Sequence, residues 1–141
     1  MKLSAKTEYA CIAVLELARR YESGEPVRIR DIADEHGIPA RFLVQILLQL
    51  KGAGYVASTR GASGGYQLRK PPEKITLGEI MNVIEGDENG QSTPAARSPT
   101  AVVLARTWRE VADREQQMLR SITFADLAER AEETAEQMYY I

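Results

Sequence analysis

Cysteine, histidine and long apolar runs are scarce in this chain, and each scarcity closes off a class of protein. Cys11 is the single cysteine among 141 residues, so neither an intrachain disulfide nor an all-cysteine metal site can form within one subunit. Its neighbours Ala10, Ile12 and Ala13 mark it as a small buried hydrophobe rather than a reactive thiol. No apolar run approaches the roughly 20 residues that span a bilayer. The start, Met1-Lys-Leu-Ser followed by Lys6 and Glu8, lacks the unbroken apolar stretch of a signal peptide. A cytoplasmic protein without membrane association is therefore expected. No internal repeat is visible.

What is present is ordinary globular material, 44% hydrophobic and 27% charged. Its length suits one compact domain, or a small domain with an oligomerisation arm. The net charge of -2 hides an asymmetry. Residues 1–74 hold 12 Lys and Arg against 8 Asp and Glu, whereas residues 75–141 hold 6 against 12. Between 36 and 74, Arg41, Lys51, Arg60, Arg69, Lys70 and Lys74 are opposed by Glu73 alone. A basic segment joined to an acidic remainder is the pattern a local nucleic-acid footprint leaves, although a merely solvated face has the same composition.

Periodicity predicts mainly helices. Ser4 can cap a first helix on which Ala10, Val14, Leu17, Ala18 and Tyr21 recur at helical spacing until Gly24. After an extended link from Pro26 to Ile29, Arg30 to His36 supplies about two turns, with Gly37 at the terminator position. Pro39 fits the first turn of the next helix, where Leu43, Ile46, Leu47 and Leu50 fall at i, i+3, i+4 and i+7. Ala40, Arg41, Val44, Gln45 and Leu48 occupy its opposite face. Two short helices joined by a tight glycine turn, the second with a small and polar outer face, make a helix-turn-helix candidate. Thr76-x-x-Glu79 has capping-box spacing and opens a further helix with Leu77, Ile80, Met81 and Ile84 on one side. The polar, Gly- and Pro-containing stretch 85–100 reads as a long loop. Ala101 to Ile122 reads as the longest helix, its Leu104, Trp108, Val111, Met118 and Ile122 approximating a 4,3 repeat that Glu115 interrupts. Thr123-x-x-Asp126 caps a final helix through about Tyr139, acidic at Glu129, Glu132, Glu133 and Glu136.

The stretch RGASGGYQLRKP, residues 60–71, offers two readings. Gly61 to Gly65 satisfies the G-x-S-x-G pattern of a hydrolase nucleophile elbow, which needs a strand-to-helix turn and a histidine later in the chain. Here Tyr66 to Arg69 continues as a strand into Pro71-Pro72, and the sole histidine, His36, precedes the serine. No Lys-Ser/Thr pair or helix follows the glycines, so a phosphate loop is excluded as well. His36, beside Asp34 and Glu35, stands in the last turn of its helix, where a cation complements the dipole without any metal. No catalytic constellation remains, and an enzyme is not expected. Tyr55 to Arg60 and Tyr66 to Arg69 instead form a predicted β-hairpin around a five-residue glycine-rich loop. Behind a helix-turn-helix, a hairpin that is basic at its strand ends is a wing, with Arg60 best placed to enter a groove.

These residues resemble a family of bacterial winged-helix regulators, the Rrf2 family, which includes the iron-sulfur cluster regulator, the nitric-oxide-sensitive repressor and the cysteine metabolism repressor. The resemblance runs from Met1-Lys-Leu-Ser-x-Lys-x-x-Tyr-Ala10 through Ile32-Ala33 to Ile38-Pro-x-x-Phe-Leu-x-Gln-Ile46. It is closest in Leu50-x-x-x-Gly54 and Val56-x-Ser-x-Arg-Gly-x-x-Gly-Gly-Tyr66, and Thr76-Leu-x-Glu-Ile80, Trp108 and Ile122-Thr-x-x-Asp-Leu127 are later landmarks. It implies a mainly α fold with one small β-hairpin: a winged helix-turn-helix DNA-binding domain over 1–84, a loop over 85–100 and dimerisation helices over 101–141. It implies a homodimer paired along the long fifth helix by Leu104, Trp108, Val111 and Met118. It also implies contacts to double-stranded DNA from Ser4, Lys6, Thr7 and Tyr9, from Pro39, Ala40, Arg41, Phe42 and Gln45, and from Arg60, Ser63, Gly64, Gly65 and Tyr66. Hydroxyls and a lysine at a helix N-terminus suit phosphate. Arg41 and Gln45, one turn apart, can both meet base edges, and Lys51 adds sequence-independent attraction. Phe42 and Tyr66 also read as plain core aromatics.

The departures matter equally. Cluster-binding members carry three closely spaced cysteines before the long helix, where residues 85–100 here have none. Cys11 cannot replace them, and Ile12 stands where a histidine would accompany Glu8 as a ligand. The expectation is a dimeric repressor of a pseudo-palindromic operator, with no iron-sulfur cluster or other cofactor. The alternative is an interaction module whose acidic last helix engages a partner protein, with DNA binding secondary. The effector, protein or small molecule, is not written in the chain.

Overall fold

Ser4 opens helix α1 (Ala5–Arg19), its hydroxyl accepting the Thr7 amide at 3.1 Å, in a computed structural model that describes residues 1–86 and 97–139. One stripe of α1, Ala10, Ala13, Val14, Leu17 and Ala18, is buried. The helix stops short of the expected Gly24. A single 3₁₀ turn, Tyr21–Ser23, follows, with the Ser23 hydroxyl on the Arg20 carbonyl at 2.7 Å, and Gly24 exits it at φ 69°. That tightening takes Tyr21 off the apolar stripe and leaves it exposed.

Helix α2 (Ile29–His36) ends on Gly37 in the left-handed region, φ 65°, and α3 (Ala40–Gly52) starts directly after Pro39. Leu43, Ile46, Leu47 and Leu50 of α3 are fully buried, as their spacing requires. Strands β1 (Val56–Thr59) and β2 (Gly65–Leu68) pair antiparallel from Val56 with Leu68 to Thr59 with Gly65. Gly65 thus belongs to a strand, and the loop, Arg60 to Gly64, sits one residue earlier than its sequence suggests. Val27 adds an isolated bridge on the outer edge of β2 through both backbone bonds with Tyr66, 2.9 and 2.8 Å. A β-carbon on Gly65 would lie 2.5 Å from the Val27 carbonyl oxygen, so only glycine admits that approach.

Thr76 caps α4 (Leu77–Glu85) by accepting the Glu79 amide at 3.2 Å. The expected loop 85–100 begins with the last residue of α4; residues 87–96 lie outside the described residues. Ser98 then caps α5 (Pro99–Ser121), two residues ahead of the expected Ala101, because a serine followed by proline is itself a helix start. Thr123 and Asp126 cap α6 (Phe124–Tyr139) reciprocally, each side chain accepting the other's amide at 3.1 and 3.2 Å. Phe124 is fully buried, which brings the start of α6 into the same core as α1, α3 and α4. Along α5, by contrast, Leu119 alone is buried.

One charge enters the interior. Glu16, only 4% exposed, is met by Arg19 at 3.4 Å, Arg20 at 3.5 Å and His36 at 3.3 Å. Arg19 continues to Glu132 at 3.2 Å and Arg20 to Glu35 at 3.8 Å, so a single carboxylate joins α1 to α2 and to α6. No described helix is long and apolar enough to cross a membrane.

Candidate nucleic-acid interface

With its leucine and isoleucine stripe turned inward, α3 leaves Ala40, Arg41, Val44, Gln45 and Leu48 exposed. Arg41 lies over the Phe42 ring at 5.1 Å, and the Tyr9 ring packs 6.0 Å from Phe42 at 43°. This cluster joins the front of α3 to the first turns of α1. Phe42 therefore sits outside the core as a platform for Arg41, contrary to the core alternative. Tyr66 is half-buried against the core and is held by its backbone to Val27.

Lys51 at the end of α3 donates to the Ser58 hydroxyl on β1 at 2.7 Å, which ties the hairpin to that helix. At the hairpin tip Arg60, Ala62 and Ser63 are exposed, whereas Gly64 is buried. A β-carbon on Gly64 would strike the Thr59 carbonyl oxygen at 2.2 Å, so this glycine shapes the tip rather than presenting a surface. Lys70 covers the Tyr55 ring at 4.6 Å.

At the start of α1 the residues divide. Ser4 is exposed and Lys6 and Tyr9 are partly exposed, but Thr7 is fully buried. The Thr7 hydroxyl accepts from Ser4 at 3.0 Å and donates to Glu85 at 2.8 Å. Both hydroxyl protons are thus committed internally, and the route from these hydroxyls to a phosphate is closed. What this helix start still offers is Lys6 and the unpaired amides of its first turn. Glu85, Ser58 and Val27 were not legible as site residues: each matters through a partner distant in sequence.

Leu104, Trp108, Val111 and Met118 line an exposed stripe on α5, with Trp108 65% accessible. The stripe has no covering element among the described residues.

The sequence profile of the Rrf2 family, described as iron-dependent transcriptional regulators, matches residues 3–130. The chain belongs to the Rrf2 family. It is 34% identical to the HTH-type transcriptional regulator CymR of Bacillus subtilis over the whole of both chains (100% each). The solved structure of CymR, the global cysteine regulator of B. subtilis, superposes with a TM-score of 0.82 at 32% identity, covering 92% of this chain and 98% of that one. The T. potens IscR structure superposes with a TM-score of 0.80 at 35% identity, covering 95% and 90%. The Rrf2 winged-helix architecture is therefore that of this chain.

The family description names iron; among the described residues of this Rrf2 member the donors do not fit an iron-sulfur cluster. Burial pushes the Cys11 thiol up to about 11, with Glu85 and Glu8 adding to the effect, so the ligating thiolate is disfavoured. Among the described residues one trio, Glu16, Glu35 and His36, gathers three donors within 4.8 Å. Its central carboxylate already carries Arg19 and Arg20, and a cation there would meet two guanidiniums. Cys11 should accordingly react with iodoacetamide at pH 8 far more slowly in the native protein than in urea, as mass spectrometry would report; equal rates would contradict its placement.

Proposed function

We propose that this Rrf2 protein is a homodimeric DNA-binding repressor of a pseudo-palindromic operator, acting in the cytoplasm without an iron-sulfur cluster. The observation that carries the reading is the exposed Arg41–Gln45 edge of α3 with the Arg60 wing fixed beside it by Lys51 and Ser58. Arg41 suits guanine and Gln45 adenine in a major groove, each bidentate. Pro39, Ala40 and Phe42 hold this edge close to the bases, while Arg60 and Ser63 follow the adjacent backbone or minor groove. Gly64, Gly65 and Tyr66 set the path of the wing. At the start of α1, Lys6 and Tyr9 face the DNA backbone, with Lys6 on a phosphate, while Ser4 caps the helix and Thr7 supports it from within.

Residues 1–84 are the DNA-binding unit in this reading, and the helices beyond 101 pair two copies. The apolar stripe Leu104, Trp108, Val111 and Met118 supports that pairing. Two such faces would engage half-sites about 34 Å apart and occlude a promoter. An acidic α6 docking a partner protein is the weaker reading, since Glu132 is already engaged by Arg19.

The deciding measurement is fluorescence anisotropy on an operator selected from genomic fragments. Arg60→Ala should weaken binding about tenfold and reduce the salt slope by about one. An unchanged affinity and slope would remove the wing from the site. For the missing cluster, anaerobic reconstitution with iron and sulfide should leave the visible spectrum flat, and a charge-transfer band would overturn that part.

A further inference from the structure

We infer that Val44 and Leu48 read the 5-methyl groups of thymine, so that each half-site of the operator carries two thymine methyls about two base steps apart. The inference rests on the DNA-binding reading above and adds what the exposed edge recognises beyond its polar contacts. Its starting point is an imbalance on α3. Leu43, Ile46, Leu47 and Leu50 are fully buried, yet Val44 is 42% and Leu48 56% exposed. The two lie four residues apart and hence one above the other on the same face, interleaved with Arg41 and Gln45.

An aliphatic side chain can neither donate nor accept a hydrogen bond. Of the groups that the major groove displays, the thymine methyl is the apolar one. Four helical residues advance about 6 Å, and two base steps of a duplex advance about 7 Å at 3.4 Å each. The spacing of the side chains therefore matches that of two methyls. Charge identifies the occupant: Arg41 flanks the pair at one end, and Lys51, tied to the wing at Ser58, flanks it at the other. A cation-bracketed apolar strip beside a basic hairpin complements a duplex better than it complements another protein surface. The stripe on α5 is a separate patch, with both arginines and acids among its sequence neighbours.

The test uses the full chain and an operator duplex selected with it from a randomised library. Each thymine is replaced singly by deoxyuridine, which lacks the methyl and keeps its pairing. At two positions per half-site, about two steps apart, affinity should fall about three- to fivefold, as expected for one buried methyl. Leu48→Ala should bind thymine and uracil duplexes alike at one of these positions, and Val44→Ala at the other. Arg60→Ala should keep the full thymine preference. The inference is overturned if no uracil substitution matters to the unaltered protein, or if Leu48→Ala and Val44→Ala retain the whole difference. Failure to select any duplex would instead remove the DNA-binding reading itself, and this inference with it.

Discussion

Trp108→Asp should run as a monomer in light scattering and bind the full operator roughly a hundredfold or more weakly than the unaltered chain. Helix α5 is 23 residues long, yet Leu119 is its one buried side chain. A helix about 35 Å long needs a partner for its apolar stripe. Trp108 stands mid-helix, 65% accessible, between Leu104 and Val111. Aromatic anchors in such a position carry about 2–4 kcal/mol of an interface, and an aspartate buried there unpaired opposes association further. The fold of the subunit should not suffer, because the tryptophan is no part of the core. Binding to an isolated half-site should therefore survive while the gain from linking two faces disappears. A Trp108→Asp protein that stays dimeric, or that binds the whole operator normally, would refute the pairing helix.

Gly65→Val should lower stability by about 3 kcal/mol and reduce operator affinity more than Arg60→Ala does. The added β-carbon would fall 2.5 Å from the Val27 carbonyl oxygen and 2.6 Å from its carbon. These are backbone atoms and cannot rotate aside. Relief requires losing the paired bonds between Val27 and Tyr66, 2.9 and 2.8 Å, at about 1 kcal/mol each, plus residual strain of similar size. The hairpin would then leave the side of α3 instead of losing one side chain. Gly61→Ala is the informative contrast. Gly61 has φ 107° but open space around its missing β-carbon, so only the backbone penalty applies. A urea midpoint for Gly65→Val equal to that of the parent would show that the ribbon does not depend on Val27.

Much of this architecture could be read from residue spacing. The buried stripe of α3, the Thr76 and Thr123–Asp126 caps and the Gly37 turn are local signals that need no tertiary knowledge, and each is present in the fold. The spacing of Tyr21 from Leu17 and Ala18 continues the stripe, but the Ser23 side chain bends the chain into a tighter turn and carries it off. The start of α5 is hidden in the sequence because Ser98 and Pro99 sit in a polar run that reads as loop. In the candidate site the exposed edge of α3 and the glycine wing were visible, but their supports were not. Thr7 reads as a free hydroxyl until Glu85, 78 residues later, is placed against it. The wing motif displays its glycines; Val27, the reason for Gly65, lies far upstream.

The bridge that Val27 adds to the hairpin also bears on which strand edges stay open to a neighbouring molecule. Two four-residue strands standing alone would offer two unsatisfied margins to any neighbouring ribbon. Val27 covers the middle of the β2 margin at Tyr66, which leaves β1 as the more open side among the described residues. That side is short, and the Lys51 side chain sits against it on the Ser58 hydroxyl. The exposed β margin that remains is thus only four residues long, too short to pair stably with a strand of another copy.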